Sequence, residues 1–127
     1  MLRSIAAVLA GLIATLALVI VLTYLSGVLS GASATSPPTP LYLGLNLVGG
    51  AIAGASGGAV AVRLAPHTPH GHMWALALVI LILSLPIIFS APSPGQPIWY
   101  GIVLSVLGPV SVVAGGLAAV RWKGPSE

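Results

Sequence analysis

Residues 41–64 read LYLGLNLVGGAIAGASGGAVAVRL, an apolar run that is also the most glycine-rich stretch of the chain. About 20 consecutive apolar residues are enough for an α-helix to cross the hydrocarbon core of a membrane. Small residues recur here every fourth position in two adjacent rows: Gly50, Gly54 and Gly58, and Gly49, Ala53 and Gly57. Because residues four apart share a helix face, the run predicts a transmembrane helix with a flat, nearly bare strip of backbone.

The strip predicts close helix packing. Little hydrophobic force acts between helices in lipid, and small residues let two backbones approach closely enough to attract by van der Waals contact. We therefore expect a second helix, from this chain or from another, to lie along it. Asn46 extends one glycine row by a further step. We interpret it as part of the same helix-packing interface, hydrogen-bonded across it; a place in an ion or solute path is the alternative.

Three further apolar runs are long enough to cross a bilayer. Of the 127 residues, 57% are hydrophobic and 4% are charged, whereas soluble domains have about 25% charged residues. The run nearest the N-terminus, residues 4–30, is much longer than the apolar region of a secretory signal, which has about 7–15 residues. The sequence therefore predicts one all-α membrane domain, residues 1–127, folded as a four-helix bundle. Its expected spans are 4–30, 41–64, 72–90 and 98–122.

Charge predicts the orientation. The basic residues that determine topology all fall on one side of the predicted spans: Arg3, Arg63, Arg121 and Lys123. Lys and Arg are enriched in the short cytoplasmic loops of membrane proteins, so we expect both termini in the cytoplasm. The high Ala, Gly, Pro and Val content suggests a bacterium, and hence its cytoplasmic (inner) membrane. Scattered basic residues offer no stripe for nucleic acid.

Aromatic residues fit this layout. Tyrosine and tryptophan prefer the membrane–water interface, where an apolar ring can keep its polar edge in water. We predict five interface anchors, three at the outer ends of spans and two at the inner ends: Tyr42, Trp99 and Tyr100, and Trp74 and Trp122.

The two halves of the chain resemble each other. Residues 36–45 read SPPTPLYLGL and residues 93–102 read SPGQPIWYGI; residues 57–63 read GGAVAVR and residues 115–121 read GGLAAVR. Each half would begin and end on the same side of the membrane. The pattern thus predicts two tandem helical hairpins forming a parallel internal repeat, with the second and fourth helices as counterparts.

Few residues could carry chemistry. The chain has no cysteine, and its one acidic side chain is Glu127, so thiolate sites and paired carboxylates are excluded. His67, His70 and His72 have the spacing of a metal site. Because Pro66 and Pro69 should break the local helix and no acid completes a ligand shell, we interpret these histidines as interfacial. Metal binding by the three, or haem or pigment contact through His72, is the alternative; otherwise we expect lipids and no cofactor.

The functional expectation follows from these absences. Charged side chains deep inside spans are costly and usually mark function. None lies in the interior of a predicted span, since Arg63 and Arg121 stand at the very ends of theirs. We therefore expect a non-catalytic accessory or scaffold subunit that packs against other transmembrane helices in a larger complex, rather than an enzyme. A small homo-oligomeric channel or facilitator, using Asn46 and the helix-four serines Ser105 and Ser111, is the alternative.

Overall fold

The fold is a bundle of four long helices. A computed structural model describes residues 1–31, 38–91 and 95–123, apart from the Lys123 side chain. Its helices are α1 Leu2–Ser30, α2 Pro40–Leu64, α3 Pro69–Phe89 and α4 Ile98–Lys123. Each is long and apolar enough to cross a membrane. The prediction of an all-α membrane bundle is confirmed for this part of the chain. Residues 36–37 and 93–94, where the two repeats begin, lie outside the described residues.

Helix starts follow local chemistry. Pro40 opens α2, and the Thr39 side chain accepts a hydrogen bond from the Tyr42 amide at 3.2 Å. Pro69 opens α3 three residues before the predicted start. Proline suits the first helical position because the amide it lacks would have no partner there. The expectation that Pro69 breaks the local helix is therefore wrong, and His72 lies in the first turn of α3.

Helix α2 packs most extensively on α1 and α4, which do not pack against each other in the described part of the chain. Helix α1 runs antiparallel to α2, since Gly11 lies against Gly57 and Leu22 against Gly49. This contact joins the first hairpin.

Helix α4 runs parallel to α2. Leu104 lies beside Gly50, and the Val112 carbonyl lies against Gly58, so residue numbers increase in the same direction along both helices. Helix α3 returns antiparallel along α4, with Met73 against Gly116. The helices thus pair as two hairpins joined through α2 and α4. An origin of the halves by duplication stays a prediction.

Large side chains of α3 fill the space beside glycines of its neighbours. Leu76 and Met73 are fully buried; a Cβ atom at Gly11 would lie 2.8 Å from Leu76, and one at Gly116 would lie 2.5 Å from Met73. The buried apolar clusters contain Ala61, Leu76, Ala77 and Val112, and Val62, Met73 and Ala119. Both clusters lie in the half of the bundle where α2 and α4 end.

Basic residues mark that same end. Arg3, Arg63 and Arg121 are exposed there, because α1 begins where α2 and α4 finish; the Lys123 side chain lies outside the described part. We call this the arginine end. Tyr42 and Trp99 lie at the opposite end, near the starts of α2 and α4.

The close approach of α2 and α4 predicts a large difference between two alanine substitutions. A Cβ atom at Gly58 would collide with the Val112 carbonyl, whereas one at Gly44 would have no atom of the described residues within 4 Å. Both changes gain the same helix propensity, so their difference isolates packing. We expect Gly58→Ala to have a free energy of unfolding about 1–3 kcal/mol lower than Gly44→Ala, measured by reversible unfolding in mixed micelles. Equal stabilities would contradict this packing.

Candidate functional site

The two small-residue rows of α2 face different helices of the same chain. Gly49 and Gly57 lie against α1, where a Cβ atom at Gly57 would be 2.7 Å from the Gly11 carbonyl oxygen. Ala53, between them on that face, is fully buried. The predicted strip thus has a neighbour within this chain on the α1 side.

The second row faces α4. A Cβ atom at Gly54 would be 2.7 Å from Ser111 Cβ and 3.1 Å from the Gly108 carbonyl oxygen. Gly50 is less tightly packed, because a Cβ atom added there would lie 3.5 Å from Leu104 Cδ1, an ordinary contact distance. Since both rows are occupied inside the chain, a partner protein would have to use another surface.

Asn46 links three helices. Its Oδ1 accepts a hydrogen bond from Thr23 Oγ1 of α1 at 2.8 Å, and its Nδ2 donates to the Tyr100 hydroxyl of α4. The sequence predicted a bond across the interface but not these partners. The predicted repeat makes α2 and α4 counterparts that start at the same end of the bundle, and this is the signal that could have suggested Tyr100 as a partner.

Tyr100, predicted as an interface anchor, is buried inside the bundle. Its side chain is 3% exposed, because its hydroxyl turns inward to Asn46. The three tryptophans, by contrast, are exposed: Trp74, Trp99 and Trp122. Tyr42 is partly buried. Whether these four anchor the chain at the interface stays a prediction.

The α4 serines do not line one path with Asn46. Ser105 Oγ donates to the Gly101 carbonyl of its own helix at 2.7 Å and lies 3.5 Å from the Ser84 carbonyl of α3. Ser111 Oγ donates to the Leu107 carbonyl, and its Cβ packs on α2. Both are nearly fully buried, in different helix interfaces.

A cavity of about 220 Å³ lies among all four helices. Gly50 and Gly54 form its α2 wall, and large aliphatic side chains such as Leu83 and Leu104 form much of the rest. Thr23 and Asn46 supply polar atoms at its end away from the arginines. The cavity exists because α1 and α4 are held apart on two faces of α2.

The histidines differ in environment. His67 and His70 are exposed, whereas His72 is 7% exposed. His72 Nδ1 lies 3.0 Å from the Thr68 carbonyl oxygen; since a carbonyl only accepts, Nδ1 carries the proton. His72 Nε2 is buried and has no hydrogen-bond partner among the described residues. In the same residues no group of three or more His, Cys, Asp or Glu could hold a metal ion. The interfacial interpretation stays a prediction.

The chain matches no protein-family model, no curated protein and no solved structure.

The Asn46 bridge predicts a measurable coupling between helices. A hydrogen bond between membrane helices contributes about 0.6 kcal/mol on average. A double-mutant cycle of Thr23→Val and Asn46→Leu should therefore give a coupling energy of about that size, from unfolding in mixed micelles.

Thr15→Val provides the matched control, because the Thr15 hydroxyl donates to the Gly11 carbonyl of its own helix at 2.9 Å. Its cycle with Asn46→Leu should give no coupling. Equal coupling in the two cycles would contradict the bridge.

Proposed function

We propose that this protein is a non-catalytic accessory or scaffold subunit of a larger membrane complex. It binds other transmembrane helices through its outer surface, and its arginine end faces the cytoplasm of a bacterial cell. The packing of α1 carries this proposal, because among the described residues α1 has close neighbours on one side only.

The free side of α1 offers the partner surface. Helix α1 packs on α2 and, less extensively, on α3, and it has the smallest buried share of the four spans. Ile13 and Ile20, two turns apart, are 65% and 70% exposed. Residues seven apart lie on the same seam of packed helices, so a partner helix can run along them.

Chemistry supports a structural role over the alternatives. The only carboxylate side chain is Glu127, at the end of the sequence, so acid–base catalysis by paired carboxylates has no residues to use. A channel is the weaker alternative because the hydroxyls of Ser105 and Ser111 bond to the backbone of their own helix and lie in different helix interfaces, away from Asn46. The features that the spans have in common, small residues and apolar side chains, serve helix packing.

Site-specific photo-crosslinking tests the proposal in cells. A photoreactive residue replaces Ile13 or Ile20 on α1, or Leu78 or Ile82 on α3 as controls; the controls are 57% and 54% exposed. Because the partner lies along α1, we expect the α1 positions to give one protein adduct of defined mass and the α3 positions to give lipid adducts.

The native mass in mild detergent completes this test. Under the proposal, the chain co-purifies with the cross-linked partner at fixed stoichiometry. A monomer or a homo-oligomer, with lipid adducts alone from α1, would overturn the accessory-subunit role.

A further inference from the structure

The walls and the position of the cavity among the four helices define what kind of molecule it can bind. Its volume of about 220 Å³ exceeds that of a dry apolar cavity that binds benzene, about 150 Å³. Inside a bilayer the surrounding medium is hydrocarbon, and an apolar cavity that opens to it fills with hydrocarbon rather than staying empty. The lining is mostly aliphatic, with Leu83, Leu104 and Leu107 among its walls.

The cavity is elongated along α2. Asn46, Gly50 and Gly54 all line it, and the eight residues from Asn46 to Gly54 rise about 12 Å along a helix axis. Gly50 and Gly54 have no side chains to divide this length. Thr15 and Leu83 line the cavity from α1 and α3. The shape therefore suits a chain rather than a ring.

Hydrogen-bond capacity remains at the polar end. A primary amide has two N–H groups, and Asn46 uses one to reach the Tyr100 hydroxyl. One N–H is left to donate. The Thr23 hydroxyl already donates to Asn46. Asn46 can therefore bind a hydrogen-bond acceptor such as a carbonyl oxygen.

The depth of Asn46 suits the ester carbonyl of a glycerolipid. Asn46 lies about 9 Å along α2 from its first residue, Pro40, below Tyr42 and Trp99, which lie near that end of the bundle. Ester carbonyls of glycerolipids join the acyl chains to the headgroups, so they lie at the edge of the hydrocarbon layer. An acyl chain entering from there would place its carbonyl at Asn46.

We propose that this cavity binds one acyl chain of a glycerolipid. The ester carbonyl accepts a hydrogen bond from the Asn46 amide, and the methylene groups run along Gly50 and Gly54 toward Thr15. The lipid thereby fills the gap between α1 and α4. This site is separate from the outer surface of α1 that is proposed to bind a partner, and either proposal can fail without the other.

Photo-crosslinking with a glycerolipid that carries a diazirine in its acyl chain tests the site. The purified protein is reconstituted with this probe, and adducts are mapped to residues by mass spectrometry. We expect adducts on cavity residues such as Leu104 and Leu107, and others on the outer residue Leu78. Gly50→Ile should reduce the cavity adducts about tenfold, because its side chain occupies the methylene path, and leave those on Leu78 unchanged.

Two further variants keep this result interpretable. Gly44→Ile is the matched control on α2, where no atom in the described part of the chain lies within 4 Å of the added Cβ, and it should leave both sets of adducts unchanged. Leu83→Phe narrows the cavity from α3 and should also reduce the cavity adducts. It replaces Gly50→Ile as the test if Gly50→Ile does not fold. Cavity adducts that are missing from the natural sequence, or that persist in both narrowed variants, would overturn the proposal.

Ether-linked probes test the carbonyl contact. Such lipids have the same chains without the ester carbonyl oxygen. The natural sequence should bind the ester probe about threefold more tightly, the ratio expected for one hydrogen bond in a membrane. Asn46→Leu should bind both probes equally. A preference that survives this substitution, or that the natural sequence lacks, would overturn the assignment of Asn46.

Discussion

Close backbone packing along the two faces of α2 is the constraint on which the rest of this fold depends. Helices in lipid gain little from burying apolar side chains, because the tails they displace are equally apolar. Van der Waals contact at short range holds the helices together, and the glycines of α2 allow it because they have no side chains. Gly57 admits α1 and Gly58 admits α4. Because these adjacent positions point in different directions, α2 separates its two neighbours.

That separation shapes both ends of the bundle differently. Near the arginine end, Leu76 and Met73 of α3 pack against glycines of α1 and α4, and the buried clusters form there. Toward the opposite end the spacing between α1 and α4 remains, and the cavity occupies part of it. Asn46 bridges α1 and α4 at that level through hydrogen bonds to Thr23 and Tyr100. The separated helices α1 and α4 are thus connected by apolar side chains of α3 near the arginine end and by hydrogen bonds to Asn46 toward the other end.

Much of this architecture was accessible from the sequence. Span positions follow from run length and composition, which depend on the bilayer and not on tertiary detail. The glycine spacing also predicted close packing, but it could not say which helix meets which row, since that depends on contacts between distant residues. The burial of Tyr100 was not predicted for the same reason. The position of an aromatic residue along a span indicates its depth in the membrane but not the neighbour that its side chain faces. The start of α3 was missed because proline is both a helix breaker and a preferred first residue.

The assignment of the two α2 rows is tested most directly by disulfide formation, because the natural chain has no cysteine. Two double-cysteine variants, Leu22→Cys with Gly49→Cys and Gly54→Cys with Ser111→Cys, would place their Cβ atoms 3.0 and 2.7 Å apart. A disulfide has about 3.5–4.5 Å between its Cβ atoms, so each helix pair must separate by about 1 Å for the bond to close. Oxidation in native membranes should link each pair within one chain. Gly49→Cys with Ser111→Cys should stay reduced, because the two positions face different interfaces. Links between two chains, or a link in that last pair, would contradict the arrangement of the bundle around α2.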